Sequence, residues 1–351
     1  MDEGVVMKTY RVGIVGFGWV AGAHLDTFNM LPNYEPVAIM SRRKLDPAAI
    51  KAEHGVDVKV YNDYDRFLKD DGIDIVDICT PHPFHPGQAV RAAEAKKDLI
   101  IEKPLGLTFE DTVKMVEAVE KNKVRTNVCF ELRFVTASTA MKSIVDNGLI
   151  GDIYYIEGDY FHGIGPWYAQ FAWNVKKEMG GSSLLTAGCH ALDMLLWLAG
   201  GEVEEVYSYS TINPHEVYKP YEYDTTSVTL LKFKNGVTLG KTASVTDCMQ
   251  PYFFNVNVVG SHGTIKNDEF FSKKIEGPEG WIKLDVHLAD SGDVGAHPYR
   301  EQFAYFAECL DAGTRPHNDL ASAFETHRVI FAADRSAETG KPVRLSEFSR
   351  S

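Results

Sequence analysis

Cysteine is scarce and scattered in this chain. Cys79, Cys129, Cys189, Cys248 and Cys309 are the only five in 351 residues, an odd number, and no Cys-x-x-Cys pair occurs. That pattern argues against a disulfide framework and against a thiolate zinc site, and it fits a reducing cytoplasm. Apolar runs are short, so a membrane span is not expected. The first residues, Met1 to Lys8, lack the apolar core of a secretion signal, and Met7 is an alternative start. Basic charge is in deficit, with 36 Lys and Arg against 49 Asp and Glu and a net charge of −13. Such a surface repels phosphate backbones, which argues against a nucleic-acid partner. Low-complexity tracts and short repeats are lacking too.

What is present is ordinary globular composition, 44% hydrophobic and 24% charged, in a chain long enough for two cores. The first third alternates strand and helix. Tyr10–Val15 is a β-branched run ending in glycine, and Trp19–Leu31 reads as a helix. Asp46 caps a helix that starts at Pro47, and Thr108 caps Phe109–Asn122. Ile75–Cys79, Leu99–Glu102 and Val124–Phe130 read as strands. This alternation predicts an α/β Rossmann domain with a doubly wound parallel sheet over residues 1–130. Residues 131–351 read differently. Helices are expected at Phe134–Asn147 and Ser183–Ala199. From Val203 to Leu284 strands follow one another, with Asn235-Gly236 as a hairpin turn between Thr225–Phe233 and Val237–Val245. Tyr299–Ala312 and Leu320–Thr339 close the chain. The expectation is an α+β domain on a large, mostly antiparallel open sheet, which binds substrate and joins subunits. Its last helices could pack back on the first domain.

Gly16-Phe17-Gly18-Trp19-Val20-Ala21 follows the first strand and opens the first helix. It matches G-x-G-x-x-A, the dinucleotide fingerprint. Gly16 permits the turn, Gly18 lets backbone approach the pyrophosphate, and Ala21 keeps helix and strand close. An NAD-selective site carries an acidic residue at the end of the second strand. Here Ser41-Arg42-Arg43 stands there, which suits the 2′-phosphate of NADP. NAD is the alternative.

Glu102-Lys103-Pro104 closes the fifth strand, and Thr80-Pro81 through His85 closes the fourth. With the fingerprint, these resemble the glucose–fructose oxidoreductase / inositol dehydrogenase (Gfo/Idh/MocA) family. Asn127–Phe134 resembles its domain junction. Gly180-Gly181-Ser182 through His190 to Asp193 resembles its active-site helix, and Gly340-Lys341-Pro342-Val343 its ending. The resemblance spans nearly the whole chain. It implies hydride transfer on sugars, polyols and related cyclic alcohols, with Lys103 and His190 as the catalytic pair. It also sets Thr80, Pro81, His82, His85 and Glu102 beside the cofactor, and it suggests a cis Lys103–Pro104 peptide.

Physical chemistry supports the pair independently. Lys103 ends a parallel strand, the edge where such sheets bind ligands, and an ammonium there stabilises an alkoxide. Imidazole can take the carbinol proton near neutral pH, and a neighbouring lysine favours the neutral ring. The two groups are expected to face the same nicotinamide across a cleft. One departure is Thr186, where many relatives carry an aspartate four residues before the histidine. Threonine supplies no charge to tune the base. Substrate contacts are expected from Arg133, Trp173, Thr186, Asp193 and the catalytic pair. Trp167, Tyr168 and Asn174 share the preceding loop, and Tyr160 and His162 end the strand before it. His82 and His85 have ligand-like spacing, but prolines surround them, and no metal is expected.

Two other functions share these motifs. One is a glycosidase or lyase that oxidises its sugar transiently on the same cofactor. The other is a non-catalytic dinucleotide-binding regulator, against which the presence of both Lys103 and His190 argues. Apolar residues on both sides of strands such as Thr225–Phe233, which alternates poorly, suggest a homodimer or homotetramer joined through the second sheet.

Overall fold

The computed structural model describes residues 8–249, 252–287, 295 and 297–350. The reading of the first residues as signal-free, and of Met7 as a start, therefore falls on positions 1–7, outside that range. The chain forms two compact units. The first holds the chain up to Gly106, then Glu110–Cys129 and Pro298–Ser322. The second holds Leu107–Phe109, Phe130–His297 and the chain from Ala323 onward.

The first unit is built on six parallel strands: β1 (Tyr10–Val15), β2 (Tyr34–Met40), β3 (Lys59–Tyr61), β4 (Ile75–Ile78), β5 (Asp98–Ile101) and β6 (Thr126–Val128). Their order across the sheet is β3-β2-β1-β4-β5-β6. Strands β1 and β4 are buried almost throughout, as strands covered on both faces must be. Strand order reverses between β1 and β4, and ligands of such sheets bind beyond the carboxyl ends at that point. Local chemistry starts the helices. Asp46 accepts the Ala48 N–H ahead of Pro47–His54, and Asp63 accepts the Arg66 N–H ahead of Tyr64–Leu68. Each such cap contributes on the order of 1 kcal/mol.

The late segment Pro298–Ser322 completes this unit. Its helix Tyr299–Ala312 lies against the helix Trp19–Met30, with Phe303 stacked on Phe28 at 4.6 Å. Strand β6 is the outermost of the sheet, and its free edge is covered. Val128 donates its N–H to the Asn318 carbonyl at 2.9 Å, and the Val128 carbonyl accepts from the side chains of Asn318 and Gln302. Gln302 also donates to the Asn127 side chain at 2.6 Å.

The second unit is built on nine strands: β7 (Ile153–Phe161), β8 (Val203–Thr211), β9 (Thr226–Phe233), β10 (Leu239–Val245), β11 (Phe253–Gly260), β12 (Gly263–Lys266), β13 (Glu269–Ser272), β14 (Ile282–Lys283) and β15 (Val343–Arg344). The order is β14-β13-β12-β11-β7-β10-β9-β8-β15, antiparallel except between β10 and β7. The β9–β10 turn is made by Asn235, whose side chain accepts the Val237 and Thr238 N–H groups, and by Gly236 at φ +72. Along β9 burial alternates from Ser227 to Phe233, while the apolar residues themselves alternate poorly, as expected. Apolar residues stand at both parities, so composition hid the period. Val228 and Leu230 lie on the exposed side.

The helix Cys189–Ala199 packs on β7. By length and composition the stretch Lys177–Ala199 would pass for a membrane span, contrary to the expectation from short apolar runs. However, 78% of its most apolar window is buried inside the fold. The expected single helix Ser183–Ala199 contains a widened π-helical stretch, Leu184–Gly188, just before His190. Gly188 is required there, because a Cβ would stand 2.4 Å from the Ser244 side chain. Ser244 in turn donates to the Ser183 carbonyl at 2.8 Å.

Candidate active site

In the first unit the fingerprint turn is tight, with open space beside it. Gly16 has φ +89, and a Cβ on it would meet the Cys79 carbonyl and Thr80 Cγ2 at 2.9 Å. The turns after β1 and β4 therefore close on each other. Around Gly18 nothing lies within 4 Å of a Cβ position, and Gly18 caps the helix Trp19–Met30 without a side-chain bond. Open space and first-turn N–H groups without a side-chain cap fit a bound pyrophosphate. Phe17, Trp19 and Val20 are at least partly exposed around this turn.

At the end of β2, Ser41 is buried and accepts the Arg43 N–H at 3.1 Å. The Arg43 guanidinium donates to the Phe17 carbonyl of the fingerprint itself. The Arg42 guanidinium lies over the exposed Phe84 ring, 5.0 Å from its centroid. Both arginines are exposed at the C-terminal edge of the sheet.

Beyond β4, Thr80 donates to the Gln88 side chain at 2.6 Å, Pro81 is half-buried and His82 is buried. His85 is fully buried. Its Nδ1 lies 2.7 Å from the Pro104 carbonyl, and its Nε2 faces the Thr80 carbonyl. Burial lowers its pKa, so a neutral ring donates to one carbonyl at a time. His85 thus ties the turn after β4 to the turn after β5. The Lys103–Pro104 peptide is cis, as expected. Lys103 is half-buried, and its N–H donates to Glu102 Oε2 at 3.2 Å.

In the second unit His190 is buried, and its Nδ1 stands 2.9 Å from Glu131 Oε2. Tyr160 stacks along the His190 ring at 5.5 Å, and Phe130 meets it edge-on. Tyr252 and His162 pack on Tyr160, and Tyr168 packs on His162. Two residues from Glu131, Arg133 makes a two-point contact with Asp193, both bonds at 2.6 Å, and Thr326 donates to the same carboxylate. Thus the short 3-10 helix Glu131–Phe134 pairs one charge with His190 and one with Asp193 on the facing helix. The Thr186 hydroxyl donates to the Gly180 carbonyl and contacts Asn174 and Tyr223. Trp173 is half-buried, while Trp167 is exposed and donates to the Gly163 carbonyl.

Sequence reasoning singled out His190 but missed Glu131. The charge absent at Thr186 comes from Glu131 instead. A carboxylate this close to Nδ1 favours the tautomer protonated there, which leaves Nε2 as the nitrogen to accept another proton.

A family model described as an oxidoreductase family with an NAD-binding Rossmann fold matches residues 10–130. A second, described as the GFO/IDH/MocA C-terminal domain, matches residues 138–266. The myo-inositol 2-dehydrogenase of Thermotoga maritima is 26% identical over 96% of this chain and 99% of its own length. The levoglucosan dehydrogenase of Pseudarthrobacter phenanthrenivorans is 27% identical over 74% of this chain and 73% of its own. Among solved structures, a levoglucosan dehydrogenase in complex with NADH has a TM-score of 0.85 at 22% identity, covering 96% of this chain and 99% of that one. A scyllo-inositol dehydrogenase of Lactobacillus casei has a TM-score of 0.81 at 20% identity, covering 97% and 100%. Matched in order across both units, the chain belongs to the Gfo/Idh/MocA family of nicotinamide-dependent oxidoreductases.

Proposed function

We propose that this protein moves a hydride between a nicotinamide dinucleotide and a carbinol carbon of a cyclic polyol or sugar. The carrying observation is Glu131 at Nδ1 of His190, a carboxylate–imidazole pair in the second unit. A general base oriented in this way suits proton removal from an alcohol. The bound nicotinamide supplies the hydride acceptor. Lys103 holds the substrate oxygen and stabilises the charge that builds on it. His190 takes the hydroxyl proton at Nε2, and in the reverse direction its imidazolium returns it. Glu131 keeps the ring in the productive tautomer and balances its positive charge. Arg133 and Asp193 are buried and matched to each other, so their role in this reading is to fix the helix that carries His190.

Relatives named for inositols and levoglucosan support a substrate with a rigid ring and several hydroxyls. For the cofactor we favour NADP, since Arg42 and Arg43 stand where NAD-selective sites place a carboxylate. For assembly we favour a homodimer or homotetramer. Tyr209, Val228, Leu230, Leu239 and Phe253 are exposed on strands of the second sheet, a large apolar set for a monomer.

The test is a screen of inositols, anhydrosugars and glycosides with both cofactors, following nicotinamide absorbance. Net reduction of cofactor by a polyol is expected. Conversion of glycosides with no net change in cofactor would instead mark the transient-oxidation chemistry. Absence of turnover in every case would overturn both.

A further inference from the structure

The first unit buries a chain of charged groups that hydride transfer does not itself call for. His24, on the helix Trp19–Met30, is 0% exposed. Its Nδ1 lies 2.9 Å from Asp77 Oδ2, and its Nε2 lies 3.3 Å from Glu102 Oε1. Tyr299 and Phe303 wall the ring edge-on, at 4.3 Å and 4.9 Å between centroids. The Cys79 thiol is 3.4 Å from both Nδ1 and Asp77 Oδ2, and the Cys129 sulfur lies within 4.8 Å of a His24 ring nitrogen and a Glu102 carboxylate oxygen. Each ring nitrogen thus faces a carboxylate, which only accepts, so satisfying both contacts requires an imidazolium. Burial alone would strip that proton. The Asp77 and Glu102 carboxylates outweigh burial and hold the His24 pKa up to about 9.

A buried ion triad is a poor way to gain stability, because desolvation offsets most of the attraction. Its use here lies in where it ends. Glu102 offers Oε1 to His24 and Oε2 to the backbone N–H of Lys103. The chain of contacts therefore runs from Asp77 through His24 and Glu102 to the main chain that carries the lysine. His85 approaches the Pro104 carbonyl of the same turn. We infer that His24 is a positioning residue for Lys103: placed between Asp77 and Glu102, it fixes Glu102, and Glu102 fixes the backbone from which the Lys103 side chain departs. The inference rests on the reading that Lys103 acts on the substrate. Misplacement of a reacting group by about 1 Å can cost about a hundredfold in rate.

Two conservative variants separate this from a merely structural role. In His24→Gln the side-chain amide nitrogen comes near the place of Nε2 and keeps the Glu102 contact. In His24→Asn it comes near the place of Nδ1 and keeps the Asp77 contact. Positioning predicts that Gln retains kcat within about threefold, while Asn loses about ten- to a hundredfold. KM for the polyol and Kd for the cofactor should move little in either. Amide hydrogen exchange at Lys103, read free of its neighbour because Pro104 has no N–H, should stay slow in Gln and speed up in Asn. Equal kcat losses that track thermal stability, with equal exchange at Lys103, would overturn the inference. If the wild type turns over no polyol, the functional reading fails, and the Lys103 exchange still decides the positioning. If either variant does not fold, Asp77→Asn takes its place. It keeps the shape and lets a neutral ring hold its proton at Nε2, toward Glu102, so Lys103 exchange should stay slow as in Gln, and markedly faster exchange would overturn the inference.

Discussion

Glu131 Oε2 stands 2.9 Å from Nδ1 of His190, and both side chains are almost fully buried. Glu131→Gln keeps the shape but removes the charge and can present an N–H to Nδ1, which favours the wrong tautomer. We expect kcat to fall by about a hundredfold or more, with cofactor affinity unchanged, the scale of losing general-base help. His190→Ala should fall at least as far. Steady-state kinetics with cofactor titration checks both, and near-wild-type kcat in either variant removes the pair from the mechanism.

Arg133 and Asp193 share two 2.6 Å bonds and are shielded from solvent. Removing one partner leaves a buried charge unmatched. Arg133→Met should therefore destabilise the protein by about 3–5 kcal/mol. The double variant Arg133→Met with Asp193→Leu should recover most of that loss. Denaturant unfolding of the single and double variants measures the difference. A stable Arg133→Met variant with a raised KM would restore Arg133 as a substrate contact.

The proposed preference for NADP rests on two exposed guanidinium groups, Arg42 and Arg43. Arg42→Ala with Arg43→Ala should weaken NADP much more than NAD, because one cofactor loses charge-assisted bonds to a phosphate and the other does not. Fluorescence titration with both cofactors reads the ratio. Equal effects would assign the arginines to Phe84 and the Phe17 carbonyl alone.

His24 makes stability depend on pH in the alkaline range. Its folded pKa of about 9 lies above the ordinary imidazole value of 6.5. Its contribution is thus complete below about 6.5 and is lost as pH rises through about 9. The facing groups are Asp77, Cys79, Glu102 and Cys129, with Tyr299 and Phe303 from the late helix. Thermal unfolding of the wild type should fall across that window more steeply than that of His24→Gln. Parallel curves would mean that His24 is neutral.

On the second sheet, Val228 and Leu230 sit two residues apart on the exposed side of β9. If the proposed oligomer forms through this face, Val228→Glu with Leu230→Glu should yield a monomer of 39.1 kDa while leaving the fold intact. Light scattering combined with circular dichroism checks this. A wild type that is already monomeric at micromolar concentration would refute the assembly.

Much of this was legible because the signals are local. Gly16 and Gly18, the Asp46 cap, Asn235-Gly236 and the helices Tyr299–Ala312 and Leu320–Thr339 are set by near neighbours in sequence, and the structure has them in place. The short helix Tyr64–Leu68 escaped notice because five residues show no periodicity, although Asp63 marks its start. Glu131 escaped for a different reason. A glutamate in Phe130-Glu131-Leu132-Arg133 reads as a solvated charge, and its partner lies far along the chain. His24 and Asp77 were hidden in the same way, each polar residue being matched only across the tertiary fold. The widened turn at Leu184–Gly188 packs against Ser244 from β10, a long-range contact that no local pattern announces.

The capping of β6 by Asn318 and Gln302 has a consequence for biosynthesis. An N-terminal dinucleotide domain would ordinarily fold first as the chain emerges. Here the outer edge of its sheet waits until nearly two hundred further residues have been made. At ordinary rates of translation that delay is about ten to forty seconds. During it, the backbone groups of an open strand are available to any other strand in reach, including one from a second nascent chain. A stop codon, a frameshift or a ribosomal stall anywhere between the two segments would therefore release a first unit whose outer sheet edge is left uncovered.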